Sequence, residues 1–262
     1  MAHRVDLHIH TCYSRFDGMM SPRAVLKMAQ RVGYDAIAVT DHYTYDKAIR
    51  GTLATHRLSQ EFDVTAYKGL EYHVGDGPHK GHVLLYFDHV EQVPERGLTL
   101  RELVDHARDH DLTLIHPHPY GFGGIQAEWL LHEADYVELN GSYGRGTVND
   151  KLLRQAKRQG ISHKLIANSD AHARGQMGAA YTITEAIEDH VADTLATRKA
   201  ASLAEPHRAW GRAAKMARAV LQPVGWAMNT AQRFATRRAL RAIDPHAWPL
   251  LDPEPAPTPA PQ

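Results

Sequence analysis

Short apolar segments alternate with amphipathic segments along most of the chain, and this alternation limits the available folds more than any other feature of the sequence. Residues 36–39 form an uninterrupted apolar run, whereas Ser21 and Pro22 favour the start of a helix and Gly33 favours its end. The predicted strands are 4–8, 36–39, 64–67, 82–86, 112–115, 136–139 and 164–167, and the predicted helices are 21–33, 100–110 and 148–159. Strands that alternate with helices in this way predict an α/β fold built on a parallel sheet, either open or closed into a barrel.

Histidine and carboxylate side chains lie at or just after the ends of most of these strands, while His82 begins the fourth. The others are His8, His10, Asp41, His42, Glu71, His116, His118, Asp170 and His172. In a β/α barrel the carboxyl ends of the strands meet on one face, so residues far apart in sequence can share a pocket. His8 and His10 point to the same side of their strand, because side chains repeat every two residues.

Such a pocket favours metal-assisted hydrolysis. Imidazole and carboxylate groups are natural ligands for Zn, Mn or Fe, and a carboxylate such as Glu71 can bridge two ions. The chain has a single cysteine, Cys12, which excludes a zinc site made of several thiolates. Taken singly, each residue has a structural alternative: Asp170 is suited to capping a helix, and Asp41-His42 to a turn. Together they favour metal binding, because they recur at the edge of the sheet where the carboxyl ends of the strands meet.

The ordered motifs resemble those of the polymerase and histidinol phosphatase (PHP) superfamily. They are His8-x-His10, Thr40-Asp41-His42, Gly69-x-Glu71, Gly81-His82-Val83-Leu84, Ile115-His116-Pro117 and Ser169-Asp170-x-His172. The resemblance implies a distorted seven-stranded (β/α)7 TIM-like barrel that holds two or three divalent transition-metal ions (Mn, Zn or Fe). It also implies hydrolysis of phosphoesters by a metal-bridging hydroxide, which Glu71 and Asp170 would hold.

The same resemblance implies a set of ligands for each ion. These are His8, His10, Glu71 and Asp170 for the first, Glu71, His82 and His116 for the second, and His42, His172 and Asp17 for the third. His118 is a rival to His116, which follows its strand directly and fits the motif better. Asp17 lies in a loop that is about two residues longer than the usual pattern, and an Asp-Gly turn is its structural alternative.

Phosphate recognition is expected from arginines in loops beside these motifs. Arg15, Arg145 and Arg174 are the candidates, because a guanidinium group binds phosphate oxygens in pairs. The loop 119–124 is either a flap whose aromatic side chains stack on a base or sugar, or a flexible connection. Only 33 residues separate His82 from His116, which leaves no room for a substantial inserted subdomain. The expected partner is a small phosphorylated substrate or a short oligonucleotide.

The C-terminal region differs in charge from the rest of the chain. Residues 198–262 carry ten Lys and Arg against four Asp and Glu, although the whole chain is formally neutral. We expect a barrel over 1–198, a basic amphipathic helical extension over 199–251 and a disordered proline-rich tail over 252–262. The extension is expected to pack on the barrel with its basic face in solvent, and contact with nucleic acid or with anionic lipid are its alternatives.

Two other functions fit parts of the pattern. An amidohydrolase-type metal hydrolase also begins with His-x-His, but Glu71, His82 and the closing Asp170-x-His172 fit a phosphoesterase better. A non-catalytic, metal-stabilised module could use the basic C-terminal helices to bind a partner. The sequence has no run of 18 apolar residues and no apolar signal after Met1, so we expect a cytoplasmic protein without a transmembrane segment.

Overall fold

The computed structural model describes residues 1–14, 17–44, 48–75, 79–143 and 146–203. Its strands are β1 (His3–Ile9), β2 (Ala36–Val39), β3 (His42–Tyr43), β4 (Thr65–Val74), β5 (Gly81–Tyr86), β6 (Thr113–His116), β7 (Tyr136–Asn140), β8 (Leu165–Asn168), β9 (Ala180–Thr184) and β10 (Arg198–Leu203). Its helices are α1 (Pro22–Val32), α2 (Ile49–Leu58), α3 (Leu100–Asp109), α4 (Glu128–Glu133), α5 (Thr147–Gln159) and α6 (Val191–Ala196). The α/β class predicted from the sequence is confirmed.

The strands form one sheet that curls into a nearly closed barrel. Its order is β10-β9-β1-β2-β4-β5-β6-β7-β8, with the short β3 paired to β4. Side chains close the seam where β8 faces β1 and β9: Asn168 Oδ1 accepts a hydrogen bond from the Leu7 backbone N–H at 2.9 Å. Thr182 Oγ1 similarly lies 3.0 Å from both the backbone N and O of Ala167. These bonds bring the two ends of the sheet together, which confirms the barrel-like architecture.

Strand β5 runs antiparallel to both of its neighbours, β4 and β6, so the expectation of an all-parallel sheet was wrong here. Residues 75–80 are the whole connection between β4 and β5, and a parallel crossover needs a dozen residues or more. The reversal has a consequence for function. The start of β5, which carries His82, lies at the same edge of the sheet as the carboxyl ends of the parallel strands.

Helix α1 shows how local sequence fixes the outer layer. Its first turn is capped by Ser21, whose Oγ accepts a hydrogen bond from the Ala24 N–H at 3.3 Å, and Gly33 ends it with a left-handed φ of 77°. Strand β2 is buried on both faces, as a barrel strand should be. Ile37 packs in the cluster that contains the apolar face of α1, and Ala38 packs in the cluster shared with other strands.

The described chain continues past the expected barrel boundary. Residues 199–203, which we expected to begin the helical extension, belong to β10 and pair antiparallel with β9. An edge strand exposes unpaired backbone groups, and β10 supplies partners for those of β9. The rest of the extension, 204–251, and the tail, 252–262, lie outside the described residues. Among the described residues, no helix is both long enough and apolar enough to cross a membrane.

Candidate metal centre

Glu71 stands at the middle of a cluster of histidines at the carboxyl-end edge of the sheet. It lies on β4, and its side chain is 1% exposed. Five histidines place a ring nitrogen 2.5–3.5 Å from one of its two carboxylate oxygens: His8, His10, His42, His82 and His118. They come from different elements of the barrel, as a site at the ends of barrel strands requires. The structure therefore brings together residues that are more than 100 positions apart.

The deepest part of the cluster is built by β1 and the segment after β8. His8 and His10 point to the same side, and their Nε2 atoms are 3.1 Å apart. Asp170 Oδ1 lies 3.4 Å from His8 Nε2 and 3.3 Å from His10 Nε2. Asp170 has a left-handed φ of 52°, which is uncommon for a residue other than glycine and typical of functional sites. We call His8, His10, Glu71 and Asp170 the inner group.

A second set of ligand atoms lies closer to solvent. Asp17 Oδ2 is 3.1 Å from His42 Nε2 and 3.5 Å from His172 Nε2. These three side chains, which we call the outer group, are 12–20% exposed. The ring of His10 stacks on that of His172 with centroids 4.1 Å apart, so His10 joins the two groups. The structure thus brings Asp17 next to His42 and His172.

The structure separates His116 from the cluster. Its Nε2 pairs with the backbone carbonyl of Ile125 at 2.9 Å, and the ring is fully buried. His118, which the motif comparison ranked second, instead places Nε2 3.2 Å from Glu71 Oε1. His118 has a left-handed φ of 30°, and the chain therefore turns back toward the site after Pro117. Of these two histidines, His118 is the one whose ring nitrogen faces Glu71, whereas the sequence prediction preferred His116.

Glu138 is a buried residue at the site that the sequence analysis did not assign. It lies on β7, is fully buried, and its Oε1 is 2.8 Å from His8 Nδ1. The available signal was a carboxylate within the apolar strand Tyr136–Asn140, because a charge is rarely buried without partners.

Asp41 has a structural role next to the site. Its carboxylate accepts hydrogen bonds from the Thr11 N–H and Oγ1–H, both at 2.6 Å, and from the Ser14 N–H at 3.2 Å. These bonds fix the loop that follows His10. A Cβ on Gly51 would lie 1.8 Å from Asp41 Oδ2, so this approach of α2 requires glycine. Burial raises the pKa of Asp41 to about 6.

Burial and neighbouring charges act in opposite directions on the pKa values of the carboxylates and of His8. Burial alone would raise the pKa of Glu71, but the charges of His82 and His42 hold it well below its usual range. Burial likewise opposes the ionisation of Asp170, and nearby His8 holds its pKa low. Against the effect of burial, Glu138 and Asp170 raise the pKa of His8 well above normal. Burial lowers the pKa of His10 to about 3.

The donor set fits divalent transition metals. Glu71 Oε2 and His82 Nδ1 are both buried and, among the described residues, make no hydrogen bond of acceptable geometry. Such atoms are costly unless something else satisfies them. Nitrogen and oxygen ligand atoms converge within 4.8 Å of one another in groups that include His8, His10 and Glu71; His42, Glu71 and His82; and His10, Asp17, His42 and His172. Imidazole with carboxylate is a ligand chemistry that Zn, Mn and Fe accept.

Of the three arginines predicted to bind phosphate, one lies among the described residues. Arg174 is exposed and follows His172 by two residues, whereas Arg15 and Arg145 lie outside the described residues. Two hydrogen bonds hold the loop 119–124 in place. His82 N–H donates to the Gly123 carbonyl at 2.8 Å, and the Phe122 N–H donates to the Tyr143 hydroxyl at 2.6 Å. Phe122 itself is 88% exposed on this tethered loop.

Comparison with known sequences places the chain within one family. Residues 6–205 match the model of the family described as PHP domain. The chain is also similar to the uncharacterized protein MJ1587 of Methanocaldococcus jannaschii, with 34% identity over 164 residues. That alignment covers 58% of this chain and 90% of the archaeal protein.

Two solved structures share the fold at low sequence identity. A two-domain protein of Bacteroides vulgatus, containing a predicted PHP-like metal-dependent phosphoesterase, is 18% identical with a TM-score of 0.59; the match covers 78% of this chain and 65% of that one. Endonuclease Q, in complex with a 27-mer duplex bearing an abasic lesion at the active site, is 14% identical with a TM-score of 0.54. That match covers 78% of this chain and 58% of the endonuclease.

Proposed function

Since the chain belongs to the PHP domain family, we propose that it is a metal-dependent phosphoesterase that hydrolyses a phosphomonoester or a nucleotide or oligonucleotide phosphate. The observation that carries this proposal is the buried Glu71 carboxylate with five histidine rings within 3.5 Å of its oxygens. A buried carboxylate with two oxygens facing separate sets of imidazoles is the arrangement expected of a bridging ligand.

We assign three overlapping sets of ligands to the ions. They are His8, His10, Glu71 and Asp170; Glu71, His82 and His118; and Asp17, His42 and His172. His10 also lies close enough to the third set to be shared with it. Divalent ions of the Mn, Zn or Fe type, when bound, supply Lewis acidity, lower the pKa of water and neutralise charge on a phosphoryl group. The number and identity of the ions are part of the proposal.

The protein side chains have their own tasks in this reaction. Neighbouring histidines lower the pKa of Glu71 and Asp170, so both carboxylates would be ionised and could accept hydrogen bonds from the attacking water. His8 and His10 present Nε2 toward both carboxylates and orient them. The inner side chains His8, His10 and Glu71 are buried, and a low-dielectric surrounding strengthens electrostatic contacts with a phosphate at the site.

The substrate is expected to enter from the rim beside the outer group. Arg174, together with Arg15 and Arg145, is proposed to bind phosphate oxygens. The likeness in fold to a nuclease that was solved with a DNA duplex supports a nucleotide or a short oligonucleotide as one class of substrate. A small phosphomonoester is the other class in our proposal.

The test is hydrolysis by the full-length protein loaded separately with Mn²⁺, Zn²⁺ or Fe²⁺. The panel contains an aryl phosphate, nucleoside monophosphates, a short single-stranded oligonucleotide and an amide substrate of the amidohydrolase type. We expect phosphate release that disappears on chelation and returns when the metal is restored. A protein that is fully loaded with metal but hydrolyses only the amide, or nothing in the panel, would contradict the proposal.

A further inference from the structure

We propose that Glu138 is a positioning residue that fixes His8 in the metal-binding orientation and, through two further contacts, sets His118 and Asp170. The inference rests on the proposed metal centre. Ligand atoms of Glu138, His8 and His118 lie within 4.8 Å of one another, but four donors already engage the Glu138 carboxylate, so we assign it a supporting role and not that of a ligand. Glu138 lies behind the inner group, fully buried on β7.

Four hydrogen-bond donors point at the Glu138 carboxylate. Oε1 lies 2.8 Å from His8 Nδ1 and 3.0 Å from Asn168 Nδ2, which donates to it. Oε2 accepts from the His118 backbone N–H at 3.1 Å and from Asn140 Nδ2 at 2.9 Å. Each oxygen therefore accepts two hydrogen bonds, which matches the full capacity of an ionised carboxylate. This satisfies a charge that would otherwise be very costly to bury.

The orientations of the two asparagines are set from elsewhere. Asn168 Oδ1 accepts from the Leu7 N–H, and Asn140 Oδ1 accepts from the Ser142 N–H, both at 2.9 Å. A backbone N–H can only donate, so the oxygen of each amide must face it, and each NH2 group must face Glu138. Glu138 is thus surrounded by donors whose direction the backbone dictates.

The consequence for His8 concerns which ring nitrogen carries a proton. Nδ1 faces a carboxylate that only accepts, so the proton stays on Nδ1 and the lone pair is left for Nε2. Nε2 is the atom that lies 3.4–3.5 Å from Asp170 and Glu71, on the side of the proposed ions. A carboxylate bonded to the far nitrogen of a ligating histidine fixes its tautomer and ring orientation and raises its basicity as a ligand.

The same carboxylate also contacts His118 directly and is linked to Asp170 through Asn140. Its bond to the His118 N–H holds a residue whose left-handed φ of 30° costs free energy and needs support from its surroundings. Asn140 Nδ2 donates to Glu138 and also to Asp170 Oδ2, at 3.1 Å. One buried residue therefore orients ligands that come from three separate elements of the barrel.

Glutamine has nearly the same shape as glutamate but cannot replace it here. If the amide oxygen faces His8 and Asn168, the NH2 group confronts the two donors His118 N–H and Asn140 Nδ2. If the amide is flipped, its NH2 group donates to His8 Nδ1, which moves the proton to Nε2 and removes the lone pair needed by a metal. Both arrangements weaken the inner group, so Glu138→Gln is a sensitive test.

The experiment compares wild type, Glu138→Gln and Asp135→Asn in the full chain, titrated with Zn²⁺ alone after chelation. Asp135 is the matched control: its carboxylate accepts the Leu114 N–H at 2.8 Å and Asn keeps that acceptor. We expect Glu138→Gln to lower Zn²⁺ affinity 10–100-fold, the range found for such supporting residues, and the control to stay near wild type. Circular dichroism of the metal-free proteins checks that all three fold.

A second measurement needs no variant. In ¹⁵N-histidine spectra of the zinc-loaded wild type, His8 should carry its proton on Nδ1 and bind through Nε2. A proton on Nε2, or unchanged Zn²⁺ affinity in a folded Glu138→Gln variant, would overturn the inference. If Glu138→Gln does not fold, the spectrum of the wild type decides. A wild type that binds no Zn²⁺ would instead defeat the proposed function.

Discussion

The inner and outer groups use the same residue types but differ in their burial and in the parts of the barrel that carry them. The inner histidines are fully buried, and each has its second ring nitrogen engaged by the protein: His8 by Glu138 and His10 by Ser14 Oγ at 2.8 Å. The outer residues are 12–20% exposed, and Asp17 contacts both His42 and His172. His172 has a further contact, because its Nδ1 lies 2.9 Å from the Asp170 carbonyl.

The difference indicates that the barrel presets the inner group and that loops complete the outer one. The inner ligands lie on or just after β1, β4 and β8, whose backbones are fixed by the sheet. Of the outer residues, His42 lies on the short strand β3, whereas Asp17 comes from the loop between β1 and α1 and His172 from the segment between β8 and β9. Preorganised ligands lose less conformational entropy on binding an ion than ligands from loops. We therefore expect tight binding at the inner group and weaker binding at the outer group.

Replacing the residue shared by the two groups should have the largest effect. His10→Ala removes a ligand atom from both, and we expect a loss of phosphoesterase activity of about 10³-fold or more, since bound ions supply several kcal/mol of charge stabilisation. The measurement is phosphate release together with metal content. His132→Ala, at an exposed histidine of α4, is the matched control and should retain both. Full activity in His10→Ala would remove the shared ligand from the account.

The two histidines that flank Pro117 should respond differently. We expect His118→Ala to lower metal affinity by about 100-fold, because it removes a ligand and the structure cannot replace it. His116→Ala should leave metal affinity near wild type, but it should lower thermal stability because it removes a buried ring and its bond to the Ile125 carbonyl. Metal titration and thermal unfolding of both variants check this pair. The reverse pattern would restore His116 as the ligand.

Asp17→Asn should affect the outer group alone. The substitution keeps the shape of the side chain and removes the charge that faces His42 and His172, so we expect the loss of one bound ion per chain. Activity should fall about tenfold, less than in His10→Ala, if the inner ions remain. Metal stoichiometry after dialysis distinguishes the two groups. An Asp17→Asn protein that loses all of its metal would show that the groups do not bind independently.

The metal affinity of the outer group should rise with pH. Although burial lowers them, the charges of Glu71 and Asp17 hold the pKa of His42 well above its usual value, and that of Asp17 raises the pKa of His172. A raised pKa means that the proton is held more tightly, so a metal ion must displace it and metal affinity rises with pH. We expect about a tenfold change per pH unit for each displaced proton, measured between pH 6 and pH 8. Affinity that is independent of pH would contradict this protonation scheme.

Local sequence predicted much of the fold. The bounds of β2 and the two ends of α1 follow from an apolar run, a serine cap and a glycine, and the structure has them where expected. The direction of β5 was missed. Its own residues are as apolar as those of a parallel strand, and only the shortness of the segment 75–80 indicates a hairpin.

The site was predictable where strand periodicity decides it and less so where a turn decides it. His8 and His10 follow directly from alternation along a strand. The position of the His118 ring depends on a left-handed backbone at a residue other than glycine. Tertiary contacts impose this conformation, and the local sequence does not predict it. Glu138 required knowledge of its four donors, two of which are asparagines oriented by distant backbone groups.

We propose above that the histidine and carboxylate cluster around Glu71 holds catalytic divalent ions. It is tested most directly by counting metal ions per chain in protein that is purified with Mn²⁺, Zn²⁺ and Fe²⁺ supplied, and by assaying aryl phosphate hydrolysis on the same sample. We expect two or three ions per chain, and we expect the rate of hydrolysis to increase with metal content and to fall when the metal is removed. A folded protein that retains none of these ions, or hydrolysis that persists after complete chelation, would contradict it.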